Sequence, residues 1–437
     1  MKNKEAEAGS RVEVKIKGKI YEGTLLESYE KDVLLLKLES GYNIGLKRKE
    51  IGSVKVLSRG KIAEKSSNSK SSIQKMQLHK NLPGISMIIT GGTISSQLDY
   101  KTGGVKPLTQ PEQLFSIAPK LLQTVNIRKL ERPFQLLSEN MTPREWQKLA
   151  GLAAKLLNEK ENQGIIITHG TDTLHFTAAA LSFMLRDLNK PVCFTYSQRS
   201  IDRGSSDATL NLQCAGYASI SNIAECMLVG HATSSDNFCY AIRGTKVRKM
   251  HTSRRDTFRA INDAPLAKIS ADGKLEILNK NYKKRDDNRQ VNEDTAFEEK
   301  VALIKYYPGA NPEILDILTD KKYKGVVIEG TGLGHVATSE SRLNWLPSIK
   351  RAVQQGIAIA IAPQTIFGRL QPQVYSSGRE LAAAGVIHTE DMLPEVAYIK
   401  LGWILGHTQN AKEVRHLMLT NIAGEINRNL SEKDFLY

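Results

Sequence analysis

The stretch Ile85-Ser-Met-Ile-Ile-Thr-Gly-Gly-Thr-Ile94 places a run of apolar residues directly before a pair of glycines. Such a run, ended by glycines that permit a tight turn, is typical of a buried strand of an α/β sheet. α/β sheets hold their ligands at the carboxyl ends of these strands, where the Thr93 hydroxyl would lie. No Gly-Lys-Ser/Thr follows, so a phosphate-binding loop is excluded. From this stretch alone, the glycine pair can also belong to a turn that has only a structural role and binds no ligand.

A second stretch, Gly164-Ile-Ile-Ile-Thr-His-Gly-Thr-Asp-Thr173, has the same construction and leads into a helical pattern. A strand, a glycine turn and a helix N-terminus bring polar side chains and backbone N–H groups together. Asp172 and Thr173 can also serve only as caps of that helix. Two such turns at the ends of two parallel strands favour one shared site over two coincidences.

Short apolar runs alternate with helical patterns over most of the chain, which predicts an α/β fold with parallel sheets. The predicted strands are 85–89, 164–168, 191–194, 301–306, 325–328 and 357–361, and the clearest helices are 146–157 and 177–188. A polar, charged stretch from Asn279 to Glu299 interrupts the alternation. We therefore expect two α/β units, at residues 83–290 and 291–437.

The N-terminal part has a different pattern. Apolar and polar residues alternate from Arg11 to Leu57 between glycines, which predicts a small SH3-like or Sm-like β-barrel of about five strands over residues 1–58. Residues 59–82 are rich in Ser and Lys and poor in aliphatic side chains, which predicts a flexible basic linker. Barrels of this size bind RNA or protein, so the fold alone assigns no function.

Composition narrows the class of protein. With 437 residues, 41% hydrophobic and 24% charged, the chain can bury a large core and is expected to be a folded enzyme. The net charge of +15 favours an acidic partner such as nucleic acid, and the alternative is a basic protein without such a partner.

Four cysteines without a CxxC pair predict buried free thiols. We expect a soluble, cytoplasmic protein without a membrane span, because long uncharged runs are missing.

A third motif is strongly basic. Seven Lys and Arg residues stand against Asp256 alone between positions 243 and 259. This density suits a loop that binds a polyanion, and a solvated basic surface is the alternative.

Taken together, the three motifs resemble the asparaginase family, in which TGGTI, HGTDT and a lysine upstream of a Thr-Phe pair form one site. The resemblance covers about four-fifths of the chain. It implies that Thr93 is the nucleophile and that Thr171, Asp172 and Lys249 support it. A threonine hydroxyl needs a partner to accept its proton during attack on a side-chain amide, and the lysine would be that base.

The same resemblance implies further details. Lys249 is selected by its interval to Thr257-Phe258, after which a helix is expected to run to Asn262. Ser138 and Glu139 would bind the α-carboxylate and α-amino group of the substrate. Tyr100 lies where the family keeps a mobile tyrosine, although loop tyrosines are commonly packing residues. One departure concerns the turn from which the neighbouring subunit of many asparaginases supplies an Asn. The family has Gly-Asn-Gly-Asn there, whereas this chain has Gly330-Thr-Gly-Leu-Gly334 followed by His335. The departure argues against asparaginase-like substrate capture by the neighbouring subunit.

The fusion of a barrel to this catalytic unit, with stretches 243–263, 365–381 and 391–406, is similar to the D-subunit family of archaeal glutamyl-tRNA(Gln) amidotransferases. That resemblance implies a chain that deamidates glutamine or asparagine and passes ammonia to an E subunit. The E subunit would use ATP and Mg²⁺ to activate and amidate the glutamyl group on tRNA(Gln). This chain itself would need no cofactor or metal, and a homodimer joined by two E subunits is expected.

Two rival functions remain open at this point. One is a free-standing L-asparaginase with an accessory barrel, and the other is a non-catalytic tRNA-binding scaffold. The intact set of Thr, Thr, Asp and Lys argues against the scaffold.

Overall fold

The computed structural model describes residues 7–26, 28, 32–38, 43–58, 82–98, 105–107, 118–201 and 205–435. Tyr100 and the predicted linker, apart from residue 82, lie outside these described residues.

The strands are numbered along the chain as β1 (Arg11–Ile16), β2 (Lys19–Leu26), β3 (Val33–Leu38), β4 (Asn43–Lys47), β5 (Ile51–Ser58), β6 (Gly84–Ile89), β7 (Ser96–Leu98), β8 (Val105–Pro107), β9 (Asn126–Glu131), β10 (Ile165–Thr168), β11 (Leu185–Arg186), β12 (Val192–Thr195), β13 (Cys226–His231), β14 (Phe238–Arg243), β15 (Val247–Lys249), β16 (Phe258–Ala260), β17 (Ala267–Ser270), β18 (Leu275–Ile277), β19 (Asn292–Glu293), β20 (Val301–Lys305), β21 (Gly325–Gly330), β22 (Ala358–Pro363) and β23 (Ile387–His388).

The α-helices of the described residues are α1 (Pro119–Thr124), α2 (Pro143–Leu157), α3 (Leu174–Met184), α4 (Ala208–Ser219), α5 (Glu313–Asp320), α6 (Leu346–Gln354), α7 (Ser376–Ala383), α8 (Pro394–Leu405) and α9 (Ala411–Leu419). Short 3-10 turns occur at Arg48–Glu50, Thr93–Ser95, Ser138–Asn140 and Glu432–Asp434.

The N-terminal module is an antiparallel sheet of five strands in the order β4-β3-β2-β1-β5. The alternation in the sequence decides its inner face, because Val12, Val14 and Ile16 are buried whereas Arg11 and Lys15 on the same strand are exposed. Strand β5 returns to pair with β1, the first strand. The predicted small β-module of five strands is confirmed.

The larger α/β unit is built on an eight-stranded sheet in the order β18-β17-β14-β13-β12-β10-β6-β9. Strands β9, β6, β10, β12 and β13 are parallel, and the three strands beyond β13 are antiparallel. The predicted parallel core is therefore present, with an antiparallel extension on one side. Strands β6 and β10 are adjacent, so the two glycine turns that follow them lie at the same edge of the sheet.

The second α/β unit has a parallel sheet in the order β20-β21-β22-β23. Its helix α8 packs against α3 of the first unit, and the two units share one apolar core that includes Phe183 and Trp403. The asparaginase-like arrangement of two parallel-sheet units after a small β-module is confirmed.

One local prediction is wrong. The segment after Thr257 was expected to be helical, but Phe258–Ala260 is strand β16 and pairs with β15 in a hairpin. Backbone pairing with β15 and burial of Phe258 override the helix propensity of the segment.

All four cysteines are free and buried, as predicted. Among the residues that the structure describes, each helix is too short or too polar to cross a bilayer.

Candidate active site

The two glycine turns pack directly against each other. Gly91 and Gly92 have φ angles of 122° and 82°, which favour glycine. A Cβ atom on Gly92 would lie 2.5 Å from the Cα atom of Gly170, so a side chain there would push the turns apart. This contact brings together the segments whose next residues are Thr93 and Thr171.

Hydrogen bonds fix where each turn begins. The backbone N–H and the hydroxyl of Thr90 both donate to the carbonyl oxygen of Thr168, at 3.2 and 2.9 Å. Thr90 in turn accepts a hydrogen bond from the N–H of Leu136. Thr93 starts the 3-10 turn that follows and is half-buried. The predicted nucleophile therefore lies on a turn that is held from both sides.

Lys249 contacts two of the other predicted residues. Its Nζ atom donates to Thr171 Oγ1 at 2.9 Å and to Asp172 Oδ1 at 2.6 Å. The Lys249 side chain is 12% exposed, whereas that of Asp172 is 63% exposed. The hairpin of β15 and β16 thus delivers an amine, mostly removed from solvent, to the Thr171 hydroxyl and a carboxylate. This geometry suits proton transfer to and from a hydroxyl group.

The predicted substrate-binding pair lies beside the second turn. Ser138 is buried, and its carbonyl oxygen accepts a hydrogen bond of 2.6 Å from the Thr173 hydroxyl. The Thr173 N–H donates to Ser138 Oγ at 3.4 Å. Glu139, the next residue, is exposed. Tyr100 lies outside the described residues, so its assignment stays a prediction.

His169 is a part of the second motif to which the sequence assigned no role. It is completely buried, and its Nδ1 atom lies 2.7 Å from the carbonyl oxygen of Gly170. Burial lowers the pKa of His169 to about 4, so the ring is neutral near pH 7. A carbonyl only accepts, so Nδ1 carries the proton and restrains the turn that packs on Gly92. In the sequence, the feature that could have drawn attention to His169 is its position within the second motif.

The basic third motif is neutralised within the chain. Each of its seven Lys and Arg residues forms an ion pair with an acidic side chain. The pairs are Arg243 with Glu225, Lys246 with Asp391, Arg248 with Glu395, Lys249 with Asp172, Arg254 with Asp256, Arg255 with Asp236, and Arg259 with Asp256. Most of these acids are distant in sequence, which is why the local count suggested a polyanion site. The interpretation as a solvated surface is wrong for Arg243 and Lys246, which are buried. Binding of a polyanion by the motif stays a prediction.

A cavity of about 460 Å³ adjoins Lys249. It extends from Asp172 and Lys249 to Glu329 and Glu395 of the second α/β unit. The described part of the chain holds no cluster of three or more His, Cys, Asp or Glu side chains arranged for a metal ion. That this chain works without a cofactor of its own stays a prediction.

Models of known protein families match three segments of the chain. Residues 84–283 match the asparaginase N-terminal domain, and residues 300–418 match the glutaminase/asparaginase C-terminal domain. Residues 6–57 match the GatD N-terminal domain.

Among curated proteins, the chain is 50% identical over 417 residues to the glutamyl-tRNA(Gln) amidotransferase D subunit of Pyrococcus abyssi, covering 93% of this chain and 91% of that protein. The protein of the same name from Methanopyrus kandleri is 42% identical over 427 residues, covering 96% of this chain and 91% of that protein. Among solved structures, the thermostable L-asparaginase from Thermococcus kodakarensis aligns with a TM-score of 0.68 at 28% identity. That alignment covers 79% of this chain and all of the other.

Proposed function

Since the chain belongs to the family of glutamyl-tRNA(Gln) amidotransferase D subunits, we propose that it releases ammonia from glutamine or asparagine through Thr93 for use on glutamyl-tRNA(Gln). It is a glutaminase/asparaginase-type subunit of a tRNA-dependent amidotransferase. The observation that carries this choice over a simple asparaginase is the similarity to the D subunits along 93% of the chain. This similarity includes residues 6–57, which match the GatD N-terminal domain.

The proposed chemistry follows from the contacts of Lys249. Thr93 Oγ attacks the side-chain amide carbon while its proton passes toward the group formed by Thr171, Lys249 and Asp172. The lysine acts as base, and the carboxylate of Asp172, 2.6 Å from Nζ, orients the amine. The amide nitrogen leaves as ammonia after protonation, and water then hydrolyses the acyl-enzyme ester. Backbone N–H groups beside Thr93 or Thr171 would stabilise the oxyanion.

Substrate recognition is assigned to the neighbouring polar residues. Glu139 would pair with the α-amino group and Ser138 would contact the α-carboxylate. The family resemblance adds Tyr100 to the substrate-binding residues. The exposure of Glu139 beside the buried Ser138 supports this arrangement. Glutamine and asparagine differ by one methylene, which a pocket discriminates only modestly.

The partner is proposed to be the E subunit, which would bind ATP, Mg²⁺ and tRNA(Gln). The assembly would be a homodimer of this chain joined by two E subunits in the cytoplasm. The ion pairs of the third motif remove one argument for tRNA contact, but residues 1–82 carry 18 Lys and Arg against 10 Asp and Glu. With domain boundaries at residues 58, 82 and 290, the N-terminal module and linker are our candidates for any direct contact of this chain with tRNA.

The alternative function is a free-standing L-asparaginase, which the structural similarity to the Thermococcus kodakarensis enzyme favours. Measuring ammonia release by the purified chain separates the two functions. We expect release from glutamine to rise when the E subunit, ATP and Glu-tRNA(Gln) are added together. Full activity on asparagine that is indifferent to these additions would identify the free-standing enzyme and overturn our choice.

A further inference from the structure

Glu395, a residue of the second α/β unit, lies between two segments that carry catalytic groups of the first unit. Its Oε1 atom is 3.1 Å from Arg248 Nε and 3.5 Å from His175 Nε2. Arg248 directly precedes Lys249 on β15, and His175 follows Asp172 by three residues in the first turn of α3. One carboxylate oxygen therefore touches both segments whose side chains meet in the contact between Lys249 and Thr171.

The strand geometry makes this contact informative about Lys249. Successive side chains of a strand point to opposite faces, so Arg248 and Lys249 leave β15 in opposite directions. Lys249 points to Thr171 and Asp172, whereas Arg248 points to Glu395. Because Glu395 holds the Arg248 side chain on one face of β15, it also restrains the strand backbone. The Lys249 side chain extends from that backbone on the opposite face.

Burial makes the contact tight. The side chain of Glu395 is 6% exposed and that of His175 is 9% exposed. Burial acts to raise the pKa of Glu395, but the contacts with His175 and Arg248 outweigh it and hold the pKa below its ordinary value. A charged carboxylate in this position attracts both partners. The stacking of α8 on α3 adds an edge contact between Phe176 and Tyr398, with ring centroids 6.5 Å apart.

We propose that Glu395 is a positioning residue, which holds the Arg248 and His175 segments so that Lys249 stays in hydrogen-bond contact with Thr171 and Asp172. In this role Glu395 acts through Arg248 and His175, although its side chain lines the same cavity as Lys249. Through it, the placement of helix α8 determines whether the catalytic lysine is aligned. The second α/β unit thereby controls the chemistry of the first, an effect that rests on the proposed function of Lys249.

The test compares Glu395→Gln with a matched control, Glu425→Gln, in the full-length chain and in its complex with the partner subunit. Glu425 also belongs to a fully buried ion pair, with Lys400 of the same helix α8 at 2.5 Å. Its other partners are the backbone N–H groups of Ile422 and Ala423. Both variants lose one buried negative charge, but only Glu395 contacts the catalytic segments.

For Glu395→Gln we expect the kcat of ammonia release to fall about 10- to 100-fold, as for a small misplacement of a catalytic group. KM should change less than about twofold, because substrate contacts are untouched. Glu425→Gln should keep a kcat close to that of the wild type. An unchanged kcat for Glu395→Gln, or equal losses in both variants, would overturn the proposal.

Hydrogen exchange provides a readout that does not depend on activity. In Glu395→Gln, amide exchange should increase in peptides covering both 169–175 and 246–250, and in Glu425→Gln it should not. Unchanged exchange in these peptides refutes the positioning role even if the activity falls. Failure of the proposed function is recognised separately, as a wild-type chain whose rate of ammonia release equals that of Thr93→Ala.

Discussion

Replacing Lys249 by methionine removes the amine at the centre of the site while keeping an unbranched side chain of similar length. In the structure this amine is 2.9 Å from Thr171 Oγ1 and 2.6 Å from Asp172 Oδ1. The variant loses both hydrogen bonds and the base that would accept a proton. Arginine at this position would keep the charge but cannot give up its proton near neutral pH, so Lys249→Arg should not restore activity.

The expected loss can be estimated from the role of the amine. Positioned general acid–base groups contribute about 10²- to 10⁴-fold to a rate, or roughly 3 to 5 kcal/mol of the activation free energy. The stability of the fold should change by less than about 1 kcal/mol, because Asp172 is 63% exposed and its charge stays hydrated. The variant should therefore be folded and nearly inactive.

The assay is steady-state ammonia release at saturating glutamine, with urea unfolding of the same preparation. Thr171→Val/Lys249→Met should be hardly slower than Lys249→Met alone, because residues that act as one unit are strongly non-additive. A Lys249→Met enzyme that keeps its kcat within tenfold of the wild type would refute the assignment of the base.

Three further predictions concern the support of the site. Gly92→Ala should lower the thermal unfolding temperature and the activity, because the new Cβ atom would collide with Gly170. The control is Gly368→Ala, where φ is 111° but no atom lies within 4 Å of the new Cβ atom. The control therefore measures the cost of backbone strain without a collision. Lys246→Met should lower the free energy of unfolding by about 3 to 5 kcal/mol in urea titrations, because its buried carboxylate partner Asp391 loses the cation at 2.6 Å and keeps only the more distant Arg369, at 4.0 Å. Burial lowers the pKa of His169 to about 4, so the unfolded chain, with a histidine pKa near 6.5, binds this proton more tightly. The free energy of unfolding is therefore highest above about pH 6.5 and falls by up to about 3 kcal/mol as the pH decreases toward 4. In His169→Asn the free energy of unfolding should fall less over the same pH range.

The sequence was sufficient for the fold class, and it indicated the segments that form the candidate site. Apolar runs before Gly91 and Gly170 placed two parallel strands, and adjacent parallel strands end at one edge of a sheet. The contact of Lys249 with Thr171 and Asp172 agrees with the family's grouping of these residues.

Contacts that join distant parts of the chain could not be predicted. Glu395 lies 147 residues after Arg248, so no local pattern connects them. For the same reason the local charge count could not show that acidic side chains far along the chain, such as Asp391 beside Lys246, pair with the third motif. The strand Phe258–Ala260 was missed because pairing with β15, rather than intrinsic propensity, decides its conformation.

We propose above that attack by Thr93 on a side-chain amide releases the ammonia used for amidation of Glu-tRNA(Gln). The most direct measurement follows formation of Gln-tRNA(Gln) by the complex of the partner subunit with either the wild-type chain or Thr93→Ala, with ATP and either glutamine or ammonium chloride as nitrogen source. We expect Thr93→Ala to abolish amidation from glutamine and to leave amidation from ammonium at the wild-type rate. Amidation from glutamine at the wild-type rate by Thr93→Ala, with free ammonia excluded, would contradict it.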